Sequence, residues 1–266
     1  MKNTCILLIA SVSVLCCVLS GCETQTPSLT AYEIRTKIVD AMRSATSYKF
    51  TMNETANTTY YNQTYTSVVL STNQRAGEID ITHKQVHFDV YTTATGAAPT
   101  HIINYLVHNV TYIGTETGGQ ITWENTSKIT ASRSWSTWSR LDAEWETLTG
   151  QSRQNPMQQL NVSLQRQADA VFNGTPCYVL SFYQNLTVNG NAAMTWNTSE
   201  SYLHTYWIAK DTFHILSHYA RRISEPINDT REPLSDALRT RLIAEGTVTY
   251  FDYNVPVTIE APTINQ

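Results

Sequence analysis

The side chains able to do chemistry are few and widely spaced. His83/His87 and His214/His218 have the four-residue spacing that lets two imidazoles share a metal on a helix. Both pairs fall in alternating, β-type sequence, where four residues span about 13 Å, so neither pair is expected to hold one ion. Carboxylates are scattered, and no two neighbouring acids propose the closely placed pair that glycoside hydrolysis needs. Gly-x-Ser-x-Gly, a P-loop, a dinucleotide-binding glycine pattern and His-Glu-x-x-His are all absent. The expectation is a protein without catalytic residues, metal site or cofactor.

Five cysteines remain to be placed. Cys5, Cys16 and Cys17 lie in an apolar run that begins behind Lys2 and closes on Leu19-Ser20-Gly21-Cys22. A charged start, a short apolar stretch and small residues before the cut make residues 1–21 a signal peptide with a lipobox. Cleavage puts Cys22 first, and its thiol is the expected site of lipidation, with residues 22–29 as the tether. Each buried CH₂ contributes about 0.8 kcal/mol, so two or more chains anchor stably where one does not. With Cys22 lipidated, Cys177 is then the one free cysteine expected after cleavage. It begins the apolar run Cys177-Tyr178-Val179-Leu180 and reads as an inert core thiol.

With a formal charge of −4 and only 15% charged residues, the chain has no clustered basic patch, and nucleic acid is not an expected partner. Polar surface comes from Thr and Asn instead. Asn-x-Ser/Thr occurs at Asn53, Asn57, Asn62, Asn109, Asn125, Asn161, Asn173, Asn185, Asn197 and Asn228. With 18 Asn and 60 Ser plus Thr in 266 residues, about four such triplets arise by chance. The excess predicts an N-glycosylated surface. Lipobox and dense sequons together fit an archaeal cell surface, with the protein at the outer face of the cell membrane.

These side chains need a scaffold, expected as a single domain over residues 30–266. Thr30-Ala31-Tyr32-Glu33 is a capping box, and Ile34, Ile38, Ala41, Met42 and Ala45 follow on one face of a helix. From Tyr48 onward short Thr-, Tyr- and Val-rich segments alternate as half-buried strands do: Thr82–Tyr91, Ile102–Ile113, Tyr178–Phe182, Tyr202–Ile208, Ile215–Ile223 and Gly246–Tyr253. Trp135, Trp138, Leu141, Trp145 and Leu148 interrupt them at helical spacing, either as a helix packed on the sheet or as an amphipathic lid. A second short helix is expected over Glu232–Leu242.

The order of these pieces resembles the LolA/LppX-type surface lipoproteins (outer-membrane lipoprotein carrier-like), in an archaeal branch. The resemblance rests on the lipobox, the helix ending Ala41-Met42-Arg43-Ser44-Ala45-Thr46-Ser47-Tyr48, the hairpin Tyr206-Trp207-Ile208-Ala209-Lys210-Asp211-Thr212-Phe213-His214-Ile215, and the closing strand Val248-Thr249-Tyr250-Phe251-Asp252-Tyr253-Asn254-Val255-Pro256-Val257. Ala209 stands where the family's hairpin usually has an acid. The resemblance implies an α+β fold: a strongly curved antiparallel half-barrel wrapped around one or more helices, with a concave face that holds acyl chains. Ile34, Ile38, Met42, Trp135, Trp138 and Trp145 are the candidate lining or lid of that cavity. Two functions compete: binding or carriage of a lipid or other apolar ligand, and a non-enzymatic structural, interaction or sensor role with an envelope protein as partner.

Overall fold

The computed structural model describes residues 28–62, 64–126, 134–135, 138–139, 144, 148, 163–188, 198–227 and 239–264. The chain divides into residues 1–30 and residues 31–266, and every described element lies in the second unit.

Helix α1 (Ala31–Ser44) starts directly after Thr30 and carries Glu33 in its first turn, as the capping box requires. The expected apolar face is the buried one: Ile34 and Ile38 are fully enclosed and Met42 is buried. Burying side chains of this size contributes roughly 1.5–3 kcal/mol each. Just past the helix, the Thr46 amide donates to Asn254 Oδ1 at 2.8 Å, tying the start of the sheet to the C-terminal segment.

Among the described residues twelve strands follow: β1 (Ser47–Tyr61), β2 (Thr66–Asp80), β3 (Gln85–Ala94), β4 (Thr100–Val107), β5 (Val110–Thr117), β6 (Gln120–Thr126), β7 (Ser163–Arg166), β8 (Ala170–Phe172), β9 (Thr175–Val188), β10 (Thr198–Ala209), β11 (Ile215–Pro226) and β12 (Arg239–Phe251). They form one open sheet in the order β6-β5-β4-β3-β2-β1-β12-β11-β10-β9-β7, with β8 also paired to β9. Each of these pairings is antiparallel. The first and last strands meet at the centre of the sheet, so β1 and β12 join two meanders. The expectation of one large antiparallel sheet accompanied by helix holds at this level.

Directly paired residues share a face, and the register therefore lines up one inner surface across the sheet. Tyr48, Ile79, Val86, Leu106 and Thr111 stand in one row, all buried. Met52, Val248, His218, Tyr206 and Leu180 stand in another, on the opposite flank. Gly77 faces Phe50 and Phe88, and a Cβ there would sit 2.4 Å from Phe88 Cβ, so the strands approach closely only because this residue is glycine.

Helical residues cross this inner face. Residues 134, 135, 138, 144 and 148 are helical, and the Ser139 amide donates to the Trp135 carbonyl at 2.8 Å. Ser134 Oγ accepts from Thr111 Oγ1 on β5, Trp138 meets Phe88 on β3 edge-on at 5.3 Å, and Glu144 bonds to β10, β11 and β12. Ser134, Trp138 and Glu144 of the tryptophan segment therefore contact the sheet; Leu141 and Trp145 lie outside the described residues.

Four boundaries differ from the sequence expectation. Several strands are long instead of short, β1 and β2 being 15 residues each. Ile102–Ile113 is two strands, turned at His108-Asn109 with φ of 51° and 63°; Asn tolerates that conformation, but the pair lacks the glycine that usually marks such a hairpin. His83 lies in the turn between β2 and β3, where its amide and ring both bond Asp80. Residues 239–242 belong to β12 instead of a helix, because their alternation pairs with β1 and β11; residues 232–238 lie outside the described ones.

Candidate functional site

Side chains alternate across a strand, so each long strand delivers every second residue to the inner face. β10 delivers Glu200, Tyr202, His204 and Tyr206; β11 delivers His218, Ala220, Arg222 and Ser224; β12 delivers Leu242, Ala244, Gly246, Val248 and Tyr250; β1 adds Met52, Glu54 and Ala56. The small residues at the middle of β11 and β12 leave space. A cavity of ≈ 320 Å³ opens there, walled by Met52, Ala56, Ala244 and Val248 with Tyr202, His204, His218 and Arg222 among its polar members.

A buried polar network closes one end of it. Glu144, 2% exposed, accepts from Tyr250 Oη at 2.6 Å and His218 Nδ1 at 2.9 Å on Oε1, and from Tyr206 Oη at 2.7 Å on Oε2. A carboxylate taken out of water is tolerable only with such donors around it. The other nitrogen of His218, Nε2, faces His204 Nδ1 at 2.9 Å. Tyr206 stacks on His218 with ring centroids 4.1 Å apart and planes 10° from parallel. Burial, with the neighbouring His218 adding to it and Glu144 opposing, pushes His204 down to about 4, so its imidazole is neutral at physiological pH.

At the other end, Glu200 accepts from Arg222 Nη2 at 2.6 Å, from Tyr202 Oη and from Ser224 Oγ at 3.4 Å. Burial works against the charge on Glu200, but the Tyr202 and Arg222 bonds outweigh it and hold the carboxyl below its usual range. Burial, reinforced by Glu200, pushes Tyr202 up to about 12. Arg222 Nε is buried without a hydrogen-bond partner among the described residues.

A second cavity of ≈ 250 Å³ lies on the same face, lined by Phe50, Arg75, Phe88, Val90, Ile102, Asn104 and Trp138. The outer face carries a different cluster: His101 bridges Asp89 (2.9 Å) and Glu116 (2.7 Å) and stacks on Tyr91 at 3.9 Å. Burial lowers the affinity of His101 for a proton, but its bonds to Glu116 and Asp89 more than reverse that. Among the described residues no group of three or more His, Cys, Asp or Glu has the arrangement to hold a metal.

Of the residues the sequence nominated, Trp138 lines the second cavity and Trp135 is half-buried. Ile34, Ile38 and Met42 are buried on α1. Trp145 and Cys22 lie outside the described residues. Asn53, Asn57, Asn109, Asn173 and Asn185 are exposed, and Asn62 is half-buried with Oδ1 accepting the Thr64 and Tyr65 amides. The side chain of Asn125 and all of Asn161, Asn197 and Asn228 lie outside the described residues. Cys177 is fully buried, and burial raises its thiol, which suits an unreactive core position.

Glu144, His204, Tyr206, Tyr250, Glu200 and Arg222 were not nominated. One signal for Glu144 was present: it stands four residues before buried Leu148, on the face of the helical segment that turns inward. The rest sit on three separate strands, β10, β11 and β12, and only the register unites them.

The sequence matches no protein-family model and no curated protein. Among solved structures, lipovitellin is similar over 82% of this chain with a TM-score of 0.42 and 10% identity, and the chain spans 26% of that one. A DUF1329 family protein from Desulfovibrio piger is similar over 86% of this chain and 93% of its own, with a TM-score of 0.22 and 10% identity. A Vibrio parahaemolyticus domain named for outer membrane lipoprotein sorting is similar over 86% and 94%, with a TM-score of 0.24 and 9% identity.

Proposed function

We propose that this protein binds a lipid or other apolar ligand non-covalently on the inner face of its sheet, without catalysing a reaction, while held by lipid on Cys22 at the outer face of a cell membrane. The observation that carries the binding reading is the pair of cavities, ≈ 320 and ≈ 250 Å³, on the face where large apolar side chains would otherwise close the core. Pockets of this size suit a small molecule or one acyl chain. At about 25 cal/mol per Å², enclosing some 300–400 Å² of chain offers about 8–10 kcal/mol before ordering costs. The anchor rests on Leu19-Ser20-Gly21-Cys22.

Native mass spectrometry of the protein purified without detergent, followed by organic extraction, tests the binding reading. A stoichiometric lipid, lost when Ala244→Phe fills the larger cavity, supports it; an apo mass unchanged after incubation with host lipids overturns it. Cys22→Ala should move the protein from the membrane to the soluble fraction. Retention on the membrane would sink the anchor.

A second reading is supported by a different observation. Asn53, Asn57 and Asn185 are exposed on the strand positions opposite to the cavity face. Glycans on some of them would leave the bare remainder of the outer surface as the contact face of a structural or interaction protein in a glycosylated envelope. Mapping occupied asparagines distinguishes the cases: a bare outer patch marks a partner site, whereas sugar on all of them leaves the inner face as the functional one.

A further inference from the structure

The polar wall of the larger cavity is specific enough to select a headgroup, an inference that rests on the binding reading above. Of the His204 ring, Nδ1 is engaged by His218 and Nε2 has no hydrogen-bond partner among the described residues, while the ring itself lines the cavity. The network behind it fixes that ring in place: His218 is held at its far nitrogen by Glu144, which two tyrosines also hold. His204 is half-buried, and a ligand seated in the cavity shuts water away from Nε2, so one that pairs with this nitrogen gains more than one that leaves it unmatched.

The proton arrangement narrows the chemistry. With Glu144 ionised and accepting from Nδ1 of a neutral His218, the His218 Nε2 lone pair accepts from His204 Nδ1–H, and His204 Nε2 is left as an acceptor. With the bond between the two rings the other way round, His218 Nε2–H donating to His204 Nδ1 while Nδ1–H still donates to Glu144, His204 Nε2 carries the hydrogen. A hydroxyl donates and accepts, so it pairs with Nε2 in both arrangements. A carboxylate accepts only and fits one of the two.

Charge argues the same way. The cavity lining holds Glu54 and Glu245 against Arg221 and Arg222, which balance. Arg222 is already bonded to Glu200 at 2.6 Å. An anionic head therefore meets no surplus of positive charge, and the apolar remainder, Met52, Leu242, Ala244 and Val248, suits a hydrocarbon tail.

We infer that the ≈ 320 Å³ cavity takes an uncharged amphiphile with a free hydroxyl headgroup, an alcohol or a glycerol-type lipid, whose hydroxyl pairs with His204 Nε2 while its tail lies along β1 and β12.

The test titrates the full-length protein, stripped of bound apolar material, with dodecan-1-ol and with dodecanoate at pH 7, read by native mass spectrometry. Dodecan-1-ol should bind about tenfold tighter than dodecanoate, the difference one well-made hydrogen bond supplies. His204→Leu should abolish that preference while the alcohol still binds; His204→Gln, whose amide both donates and accepts, should keep part of it. Equal binding of the two amphiphiles, tighter binding of dodecanoate, or an alcohol preference that survives His204→Leu overturns the headgroup assignment and leaves the binding reading standing. Failure of both probes to bind the wild-type protein overturns the two together. A circular dichroism spectrum unchanged from wild type confirms that each variant is folded.

Discussion

Acidification should unfold this protein more readily, and His204 should account for a defined share of the effect. Its folded pKa is pushed down to about 4 from an ordinary 6.5. Between those values the unfolded chain binds a proton that the folded chain does not, so stability rises with pH across the window and is lost as pH falls from 6.5 toward 4. Each unit of pKa difference is worth about 1.4 kcal/mol, so the full loss attributable to His204 is about 3 kcal/mol at pH 4. The assay is urea unfolding of the wild-type protein and His204→Leu at several pH values between 7 and 4, with stability taken from midpoint and slope. His214, lowered by its own burial, and Glu200, held low by Tyr202 and Arg222 despite burial, lose stability in the same direction. Both are present in wild type and variant, so they cancel in the difference. The wild-type curve should fall more steeply, by about 1.4 kcal/mol per pH unit near pH 5, and the two should converge above pH 7 apart from a constant offset. Parallel curves throughout would refute the assignment of a neutral His204.

Three further outcomes follow from the packing. Glu144→Ala removes the acceptor of Tyr206, Tyr250 and His218 at once and should cost about 3–5 kcal/mol, read as a lowered urea midpoint; a loss under 1 kcal/mol would mean the network is not formed. Ile38→Ala, at a fully enclosed position of α1, should cost about 2–5 kcal/mol, whereas Tyr32→Ala, 58% exposed on the same helix, should stay within about 0.5 kcal/mol; equal effects by thermal melting would refute the orientation of the helix. Gly77→Ala puts a methyl 2.3 Å from the His87 carbonyl oxygen and 2.4 Å from Phe88 Cβ, and should lower stability by about 1–3 kcal/mol or more through forced separation of β2 and β3. A neutral result in the same melt would mean the strands are not so close there.

What the sequence decided alone is what depends on near neighbours. Thr30 with Glu33 set the start of α1, and the spacing of Ile34, Ile38 and Met42 chose its buried face, because both are written within one or two turns. Alternation was enough to find strands within Thr82–Tyr91 and Tyr202–Ile208, which the structure runs as Gln85–Ala94 and Thr198–Ala209, and to put Val86, Phe88 and Val90 on one face, of which Val86 and Phe88 are buried. The hairpin at His108-Asn109 was missed for lack of a glycine, and Arg239–Leu242 because its period fits a helix as well as a strand. The site depended on more than neighbours. Tyr206 and Tyr250 reach one carboxylate across 62 and 106 residues of chain. His204 and His218 meet although 14 residues separate them. Those approaches exist only once β10, β11 and β12 lock in register, since a one-residue slip would turn each of these side chains to the opposite face. Pairing is a property of strands already brought together, so tertiary structure alone turned two unremarkable histidines and a glutamate in a tryptophan-rich helical segment into the wall of a cavity.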